Sequence, residues 1–241
     1  MNIIEVKDYE EMSKKAAEYI IEKVHQTKKL NLGLATGGTP VGTYKNLIED
    51  HQHGHTTYQD VTTFNLDEYV GLSGDDPNSY RFYMNDMLFN HIDLDLANTH
   101  IPRGDAHDMQ KECLDYEKLI AEHGGIDLQI LGIGTNGHIG FNEPGTAFES
   151  LTHLVELAPS TREANARYFA SLEEVPTKAV TMGIATIMKS KEILLLISGE
   201  NKREALSKLL YGEVNEDFPA SVLRNHPKVT IMADRAAIGN E

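Results

Sequence analysis

The sequence predicts an α/β fold in which helices cover both faces of a mostly parallel, Rossmann-like sheet. Apolar stretches of strand length alternate with amphipathic stretches of helix length along the 241 residues, as in repeated β–α–β units. Residues 193–197 are apolar at every position, which indicates a strand buried on both faces. No repeat or Pro/Ser-rich linker divides the chain. We therefore expect residues 1–241 to form a single α/β domain.

The first predicted unit is a helix, a strand and a second helix. In residues 8–29, Met12, Ala16, Ile20 and Val24 recur at fourfold spacing, which is typical of an amphipathic helix. Residues 30–35 form a short buried strand, and a helix follows from residue 41 to about 50.

The loop between this strand and the second helix reads Thr-Gly-Gly-Thr-Pro. Gly37 and Gly38 let the backbone approach a ligand closely, and unpaired N–H groups at a helix start suit a phosphate. Thr39 adds a hydroxyl, and Pro40 fits the first helical turn. The loop matches neither GxGxxG nor the Walker pattern. It is either a phosphate cradle or a glycine turn that only joins strand to helix.

The next predicted strand, residues 61–66, leads directly into two acids, Asp67 and Glu68. Neighbouring side chains on an extended chain point to opposite sides, so one acid can face a pocket while the other pairs elsewhere. A solvated acidic turn is the alternative. A helix is predicted from residue 80 to about 89, where Arg81 can serve as a structural partner for an acid.

The strand over residues 126–131 ends in a glycine-rich loop that presents His138 and Glu143. Ile133, Ile139 and Phe141 are interleaved with the glycines, so we expect a packed loop. This loop is either chemically active or a tight turn with incidental polar residues.

The remaining elements follow from the same patterns. The predicted strands cover residues 99–102, 152–157, 193–197 and 229–233. The predicted helices cover residues 108–123 and 160–170, a short stretch after residue 183, and a stretch that opens at residues 201–203. Arg162 and Arg167 lie in the 160–170 helix.

Several predicted strands end in glycine-rich or acidic loops, and these loops share one edge of a parallel sheet. We therefore expect Gly37, Asp67, His138, Glu143 and Lys202 around one crevice.

Composition excludes several classes of function. The net charge of −15 argues against a general nucleic-acid-binding protein, which needs a basic face. No apolar run approaches ~18 residues, and the first residues lack the pattern of a secretory signal. Cys113 is the only cysteine, which excludes an internal disulfide and suits a reducing cytoplasm. We expect a cytoplasmic protein that does not bind membranes.

Three histidines alternate in one polar loop, His51, His53 and His55. They invite a metal site, but no carboxylate or cysteine lies nearby at ligand spacing. We favour surface histidines and expect no metal.

Taken together, the segments ATGGTP, FNLDEYVGL, GIGTNGHIGFNEPG, TREANARYF and SGENKREAL resemble those of glucosamine-6-phosphate deaminases. The related 6-phosphogluconolactonases share the fold, but the Phe141-Asn142-Glu143 sequence is of the deaminase type. The resemblance implies conversion of glucosamine 6-phosphate to fructose 6-phosphate and ammonia. It implies no cofactor and no macromolecular partner, only a small-molecule amino-sugar phosphate substrate.

The resemblance also implies roles for four residues. His138 would assist ring opening, and Asp67 would move the proton between C2 and C1. Glu143 would orient His138. Many members of the family carry Asp where this chain has Asn136, and we rank Asn136 below His138 and Glu143 as a catalytic residue.

Phosphate binding is implied for Gly37, Gly38, Thr39, Arg167 and Lys202. Activated hexameric members place basic residues after the NEP loop, where this chain has Ala147, His153 and Val155. We expect weak or no activation, and a monomer or a small homo-oligomer. The rival interpretations are a lactonase and a non-catalytic sugar-phosphate sensor.

Overall fold

The computed structural model describes residues 1–166 and 169–239. Its larger sheet has seven strands, all parallel, in the order β1-β10-β9-β6-β2-β3-β5. These strands are β1 (Asn2–Val6), β2 (Asn31–Leu34), β3 (Thr62–Asn65), β5 (Thr99–His100), β6 (Leu128–Leu131), β9 (Ile193–Ile197) and β10 (Val229–Asp234). The predicted α/β fold with a mostly parallel sheet is confirmed.

A second sheet has three antiparallel strands in the order β4-β8-β7. They are β4 (Asp67–Tyr69), β7 (His153–Glu156) and β8 (Lys178–Thr181). The sequence did not predict this sheet. Its first strand has only three residues, and its pairing with β8 links segments more than a hundred residues apart.

Eight α-helices are described in addition to short 3-10 segments. They are α1 (Tyr9–Gln26), α2 (Val41–Gln52), α3 (Tyr80–Met87), α4 (Met109–Glu122), α5 (Pro159–Asn165), α6 (Ile184–Met188), α7 (Arg203–Tyr211) and α8 (Arg235–Ile238). Side chains that accept from first-turn N–H groups define several starts: Asp8 caps α1, Ser79 caps α3 and Asp108 caps α4. Pro40 is the N-cap residue of α2. The sequence had predicted a position in the first helical turn instead.

The large sheet separates two apolar layers. Along β9, Leu194 and Leu196 pack with buried side chains of α1 and α2, whereas Leu195 and Ile197 pack with those of α4 and α7. This alternation follows from the opposite directions of neighbouring strand side chains. The two layers fix the strands, and therefore the loops at their carboxyl ends.

The sequence reasoning also missed several short or exposed elements outside the small sheet. β1 is an edge strand whose residues are mostly exposed, so its hydrophobic pattern is weak. The 3-10 segment Pro219–Asn225 and the four-residue helix α8 are too short for a period to show. Among the described residues, no helix is long and apolar enough to cross a membrane.

Candidate active site

A cavity of about 660 Å³ opens at the carboxyl edge of the large sheet. The loops that follow β2, β3, β6 and β9 contribute to its wall, as expected for an open α/β sheet, and α3 and α5 add side chains. The lining residues include Thr36, Gly37, Gly38, Thr39, Asp67, Tyr80, Asn136, His138, Gly140, Thr161, Asn165, Asn201 and Lys202.

The structure brings most of the predicted site residues together. Gly37, Gly38, Thr39, Asp67, Asn136, His138 and Lys202 all line the cavity. Glu143 is not part of the wall; it lies behind His138, with 3.6 Å between its Oε2 and the ring Nδ1. Arg167 lies outside the described residues.

The Thr-Gly-Gly-Thr loop has its carbonyl groups fixed from outside the cavity. Tyr83 donates to the Gly37 carbonyl (2.7 Å), and Tyr9 donates to the Gly38 carbonyl (3.1 Å). In the described chain, the N–H groups of Gly37, Gly38 and Thr39 have no acceptor. Gly37 has a φ of 88°, which favours glycine. The loop can therefore present backbone donors to an anion, and it does more than join β2 to α2.

Lys202 places a cation at the same cavity. Its Nζ donates to the Ile133 carbonyl at 2.8 Å, and burial lowers the pKa of its ammonium group. An ammonium group has three N–H donors, so two remain for a ligand. Burial disfavours the charged form of the ammonium group, and an anion bound beside it would favour that form.

The ring of His138 packs against the backbone at Gly134. A Cβ added to Gly134 would lie 2.3 Å from the ring, so glycine is needed for this close approach. The ring Nδ1 lies 2.7 Å from the side-chain oxygen of Asn136. Because an amide oxygen only accepts, Nδ1 carries the proton and Nε2 of the neutral ring keeps its lone pair.

Asn136 connects His138 to Glu143. Its Nδ2 donates to Glu143 Oε2 at 2.8 Å, while its Oδ1 faces the ring. The two contacts together determine which side of the amide is oxygen. Asn136 is therefore the nearer partner of His138, although the sequence reasoning ranked it below Glu143.

Glu143 is held as a carboxylate by polar neighbours. Burial alone would raise the pKa of its carboxyl group, but contacts from His138, Thr161 and Asn136 outweigh it and lower the pKa to about 2. Thr161, on α5, donates to Oε1. The group therefore remains negative throughout the neutral range.

Asp67 is in the opposite electrostatic situation. It is only 6% exposed, and among the described residues its carboxyl group has no hydrogen bond or ion pair. Burial, followed by the charge of Glu68, raises the pKa of Asp67 to about 8. The empty cavity therefore contains a mostly protonated acid at neutral pH.

Glu68 points away from the cavity, as the alternation of strand side chains predicts. Its carboxylate accepts from the N–H groups of Tyr69, Tyr80 and Arg81 at 2.8–3.0 Å. Burial raises the pKa of Glu68 to about 7, although these three donors oppose the shift. Glu68 thus attaches β4 to the start of α3. Both acids are buried, so the alternative of a solvated acidic turn is wrong.

The three histidines of the polar loop differ in exposure. His53 and His55 are exposed, and the ring of His53 contacts the Glu49 carbonyl. His51 is half-buried, and its ring contacts the Thr56 carbonyl at 2.8 Å. No group of three or more His, Cys, Asp or Glu side chains suited to a metal is found in the described part of the chain.

Sequence reasoning missed several polar side chains of the site, including Thr135 and Asn201 on the cavity wall. Thr161 contacts Glu143, Tyr80 and Asn165 line the cavity, and Asn165 also donates to the Tyr69 hydroxyl at 2.9 Å. Thr161 and Asn165 lie within or beside the TREANARYF segment, whose polar residues were the available signal. Nothing local in the sequence pairs a threonine with an acid 18 positions earlier.

A cavity at the strand ends, with an anion-binding loop, a lysine and separated acid and base groups, defines an enzyme site for a phosphorylated small molecule. Residues 7–232 match the model of the family of glucosamine-6-phosphate isomerases and 6-phosphogluconolactonases. The chain is 60% identical to glucosamine-6-phosphate deaminase of Shouchella clausii, over 98% of this chain and 96% of the relative. It is 56% identical to glucosamine-6-phosphate deaminase 1 of Bacillus subtilis, over 98% of both chains.

Solved structures agree with this assignment. A monomeric glucosamine-6-phosphate deaminase superposes with a TM-score of 0.98 at 55% identity, over 100% of both chains. The 6-phosphogluconolactonase of Trypanosoma brucei has a TM-score of 0.81 at 19% identity, over 99% of this chain and 97% of that chain; this likeness shows the shared fold alone. The chain belongs to the glucosamine-6-phosphate deaminase family.

Proposed function

We propose that this protein converts glucosamine 6-phosphate to fructose 6-phosphate and ammonia. The observation that carries the proposal is the cavity itself, where a buried acid, a histidine with a free Nε2 and an anion-binding loop face one space. The high identity to relatives named deaminases supports the same reaction.

The substrate phosphate would bind at the Gly37–Thr39 loop and at Lys202. The loop offers backbone donors, and the lysine offers a point charge. Arg167 is a further proposed ligand for the phosphate. This end of the cavity would hold the substrate so that its reactive carbons lie near Asp67 and His138.

The first chemical step would be ring opening at His138. A proton must leave the hydroxyl on C1 and another must reach the ring oxygen. An imidazole near neutral pH can do both. Asn136 holds Nδ1, so the exchange occurs at Nε2, while the negative Glu143 stabilises the ring when it is positive.

The second step would be proton transfer by Asp67. Its carboxylate removes the proton from C2 and returns it to C1, and the resulting imine at C2 is hydrolysed by water to the ketone and ammonia. This sequence needs only proton transfers and one water molecule.

Two other activities fit the site less well. A lactonase would use the same phosphate contacts, but three solved 6-phosphogluconolactonases are only 19–22% identical to this chain, and the loop carries Phe141-Asn142-Glu143. A sensor would need the phosphate contacts alone, whereas this site retains both Asp67 and His138.

The test is an ammonia-release assay with purified protein and glucosamine 6-phosphate. We expect ammonia and fructose 6-phosphate in equal amounts, and at least a 10³-fold loss of kcat in Asp67→Asn, on the order of the contribution of a proton-transfer group. Hydrolysis of 6-phosphogluconolactone without ammonia would contradict the proposal, as would thermal stabilisation by glucosamine 6-phosphate without turnover.

A further inference from the structure

Asp67 is more than nine-tenths buried, yet its carboxyl group has no hydrogen bond or ion pair among the described residues. The residue also lines the cavity. A bound ligand can therefore supply its partner, and the surroundings indicate the charge that this partner should carry.

Among the described residues, the groups that face Asp67 carry no positive charge. Glu68 is its neighbour on β4, and the phenols of Tyr69, Tyr80 and Tyr116 interact with it from β4, α3 and α4. Across the loop, a Cβ on Gly140 would lie 3.5 Å from Asp67 Oδ2, so an uncharged backbone closes that side.

The two titratable groups elsewhere on the described cavity wall contact other residues. Lys202 Nζ donates to the Ile133 carbonyl, and His138 is tied to Asn136. Neither forms an ion pair with Asp67 among the described residues. In the described part of the chain, the cavity wall around Asp67 is therefore buried and has no cation paired with the acid.

In this environment Asp67, the proposed base, is mostly in its protonated form. Burial and Glu68 favour the protonated acid, and a protonated carboxyl cannot accept the C2 proton. Something that binds must ionise Asp67 before the reaction can begin. A cation in contact with a carboxyl group does so, because an opposite charge favours the ionised form.

We infer that the positively charged 2-amino group of the substrate ionises Asp67 on binding, and that this contact selects amino-sugar phosphates over those with a 2-hydroxyl group. The inference rests on the proposed function. The Asp67 proton passes to bulk solvent as the ammonium group docks. The carboxylate then stands beside C2, the carbon whose proton it must remove.

Selection follows from the same step. A sugar phosphate with a hydroxyl at C2 can fill the phosphate loop, but it brings no charge to Asp67. The acid stays protonated, and the C2 proton stays in place. The site would therefore bind such a compound weakly and not isomerise it.

The experiment uses two open-chain alditol phosphates that cannot react, 2-amino-2-deoxyglucitol 6-phosphate and glucitol 6-phosphate. Titration calorimetry at pH 7, in two buffers of different ionisation enthalpy, counts the protons released on binding. We expect the amine to release up to about one more proton per site than the hydroxyl compound, and to bind at least tenfold tighter, as one pKa unit of linkage implies.

Asp67→Asn should abolish both differences, because the amide neither titrates nor attracts a cation. The exposed residue Asp60 provides the matched control, and Asp60→Asn should retain both. Equal proton release by the two compounds in the unmodified protein would overturn the inference, as would selectivity that survives in Asp67→Asn. If ammonia is released from glucosamine 6-phosphate while the two alditols behave alike, only the inference fails. If no ammonia is released, the proposed function is wrong, and the inference that rests on it is wrong as well.

Discussion

Asp67 and Glu143 show how one cavity gives two carboxyl groups opposite properties. Asp67 has burial and a like charge around it, and its pKa rises to about 8. Glu143 is also partly buried, but three polar contacts overcome that burial and its pKa falls to about 2. Groups whose environments separate their pKa values in this way can divide acid and base roles.

The buried acid should make the protein less stable at alkaline pH. Below about pH 4, Asp67 is protonated in both the folded and unfolded chains. Between about pH 4 and 8 only the unfolded chain loses the proton, so folding stability falls as the pH rises. Asp67→Asn does not titrate. The free energy of unfolding of Asp67→Asn, minus that of the unmodified protein, should therefore be greater at pH 8.5 than at pH 5. The increase should exceed about 1 kcal/mol.

Urea unfolding at the two pH values measures this difference. Asp60→Asn, at an exposed position, should show no such change between them. A stability gain that is the same at pH 5 and pH 8.5 would show that Asp67 is not held protonated by the fold.

Asn136 is the residue where this chain departs from many members of its family. Asn136→Asp would replace the amide donor to Glu143, now at 2.8 Å, with a second carboxylate. Two facing acids repel, so we expect a loss of about 1–3 kcal/mol in stability at pH 8. The extra charge near Nδ1 also favours a protonated His138, and the pH profile of kcat/KM should shift to higher pH.

Thermal melts and pH–rate profiles of Asn136→Asp and Asn136→Ala test this together. The alanine variant loses the hydrogen bonds without adding charge, so its profile should not move upward. An aspartate variant with unchanged stability and an unchanged profile would show that Asn136 does not transmit charge between Glu143 and His138.

Helices α1 and α3 hold the proposed phosphate loop through direct hydrogen bonds. Tyr9 begins α1, and its hydroxyl both donates to the Gly38 carbonyl and accepts from the Gly42 N–H (2.9 Å). Tyr83 on α3 donates to the Gly37 carbonyl. These bonds fix the carbonyl groups of the loop, and in the described chain its N–H groups have no acceptor. Two elements that contribute no proposed catalytic side chain therefore hold the proposed phosphate loop in place.

Tyr83→Phe should weaken substrate binding more than catalysis. The change removes one hydrogen bond to the loop, worth about 1 kcal/mol, so KM should rise roughly fivefold while kcat stays within about twofold. Tyr211→Phe is the matched control, because Tyr211 is 82% exposed. A fall in kcat at constant KM would contradict a role in phosphate positioning.

The elements that the sequence predicted are those with a local signal. Periodicity located α1 and α4, continuous apolarity located β9, and strand alternation separated Asp67 from Glu68. The small sheet had no such signal, because the pairing of β4 with β8 joins segments that are far apart in the sequence. For the same reason the contact between Thr161 and Glu143 was invisible: it depends on where α5 packs.

The solved relative with a TM-score of 0.98 is described as monomeric. We therefore propose that the protein acts as a monomer without allosteric activation.

Sedimentation and kinetics test this proposal. We expect a solution mass near 26.8 kDa and a hyperbolic dependence of rate on glucosamine 6-phosphate, since independent single sites cannot cooperate. An N-acetylated amino-sugar phosphate should leave the curve unchanged. A sigmoidal curve that such an effector makes hyperbolic would refute the monomeric, unregulated state.

The three-stranded sheet connects parts of the site that are distant in sequence. β4 carries Asp67, β7 leads into the helix that carries Thr161, and Thr181 on β8 accepts from the Phe141 N–H at 3.1 Å. If this small sheet opens while the seven-stranded sheet stays intact, the proposed base and the hydroxyl partner of Glu143 are lost together. Heat inactivation would then be an event of local unfolding, and a protein engineer seeking a longer working lifetime should reinforce those three short strands before the main core.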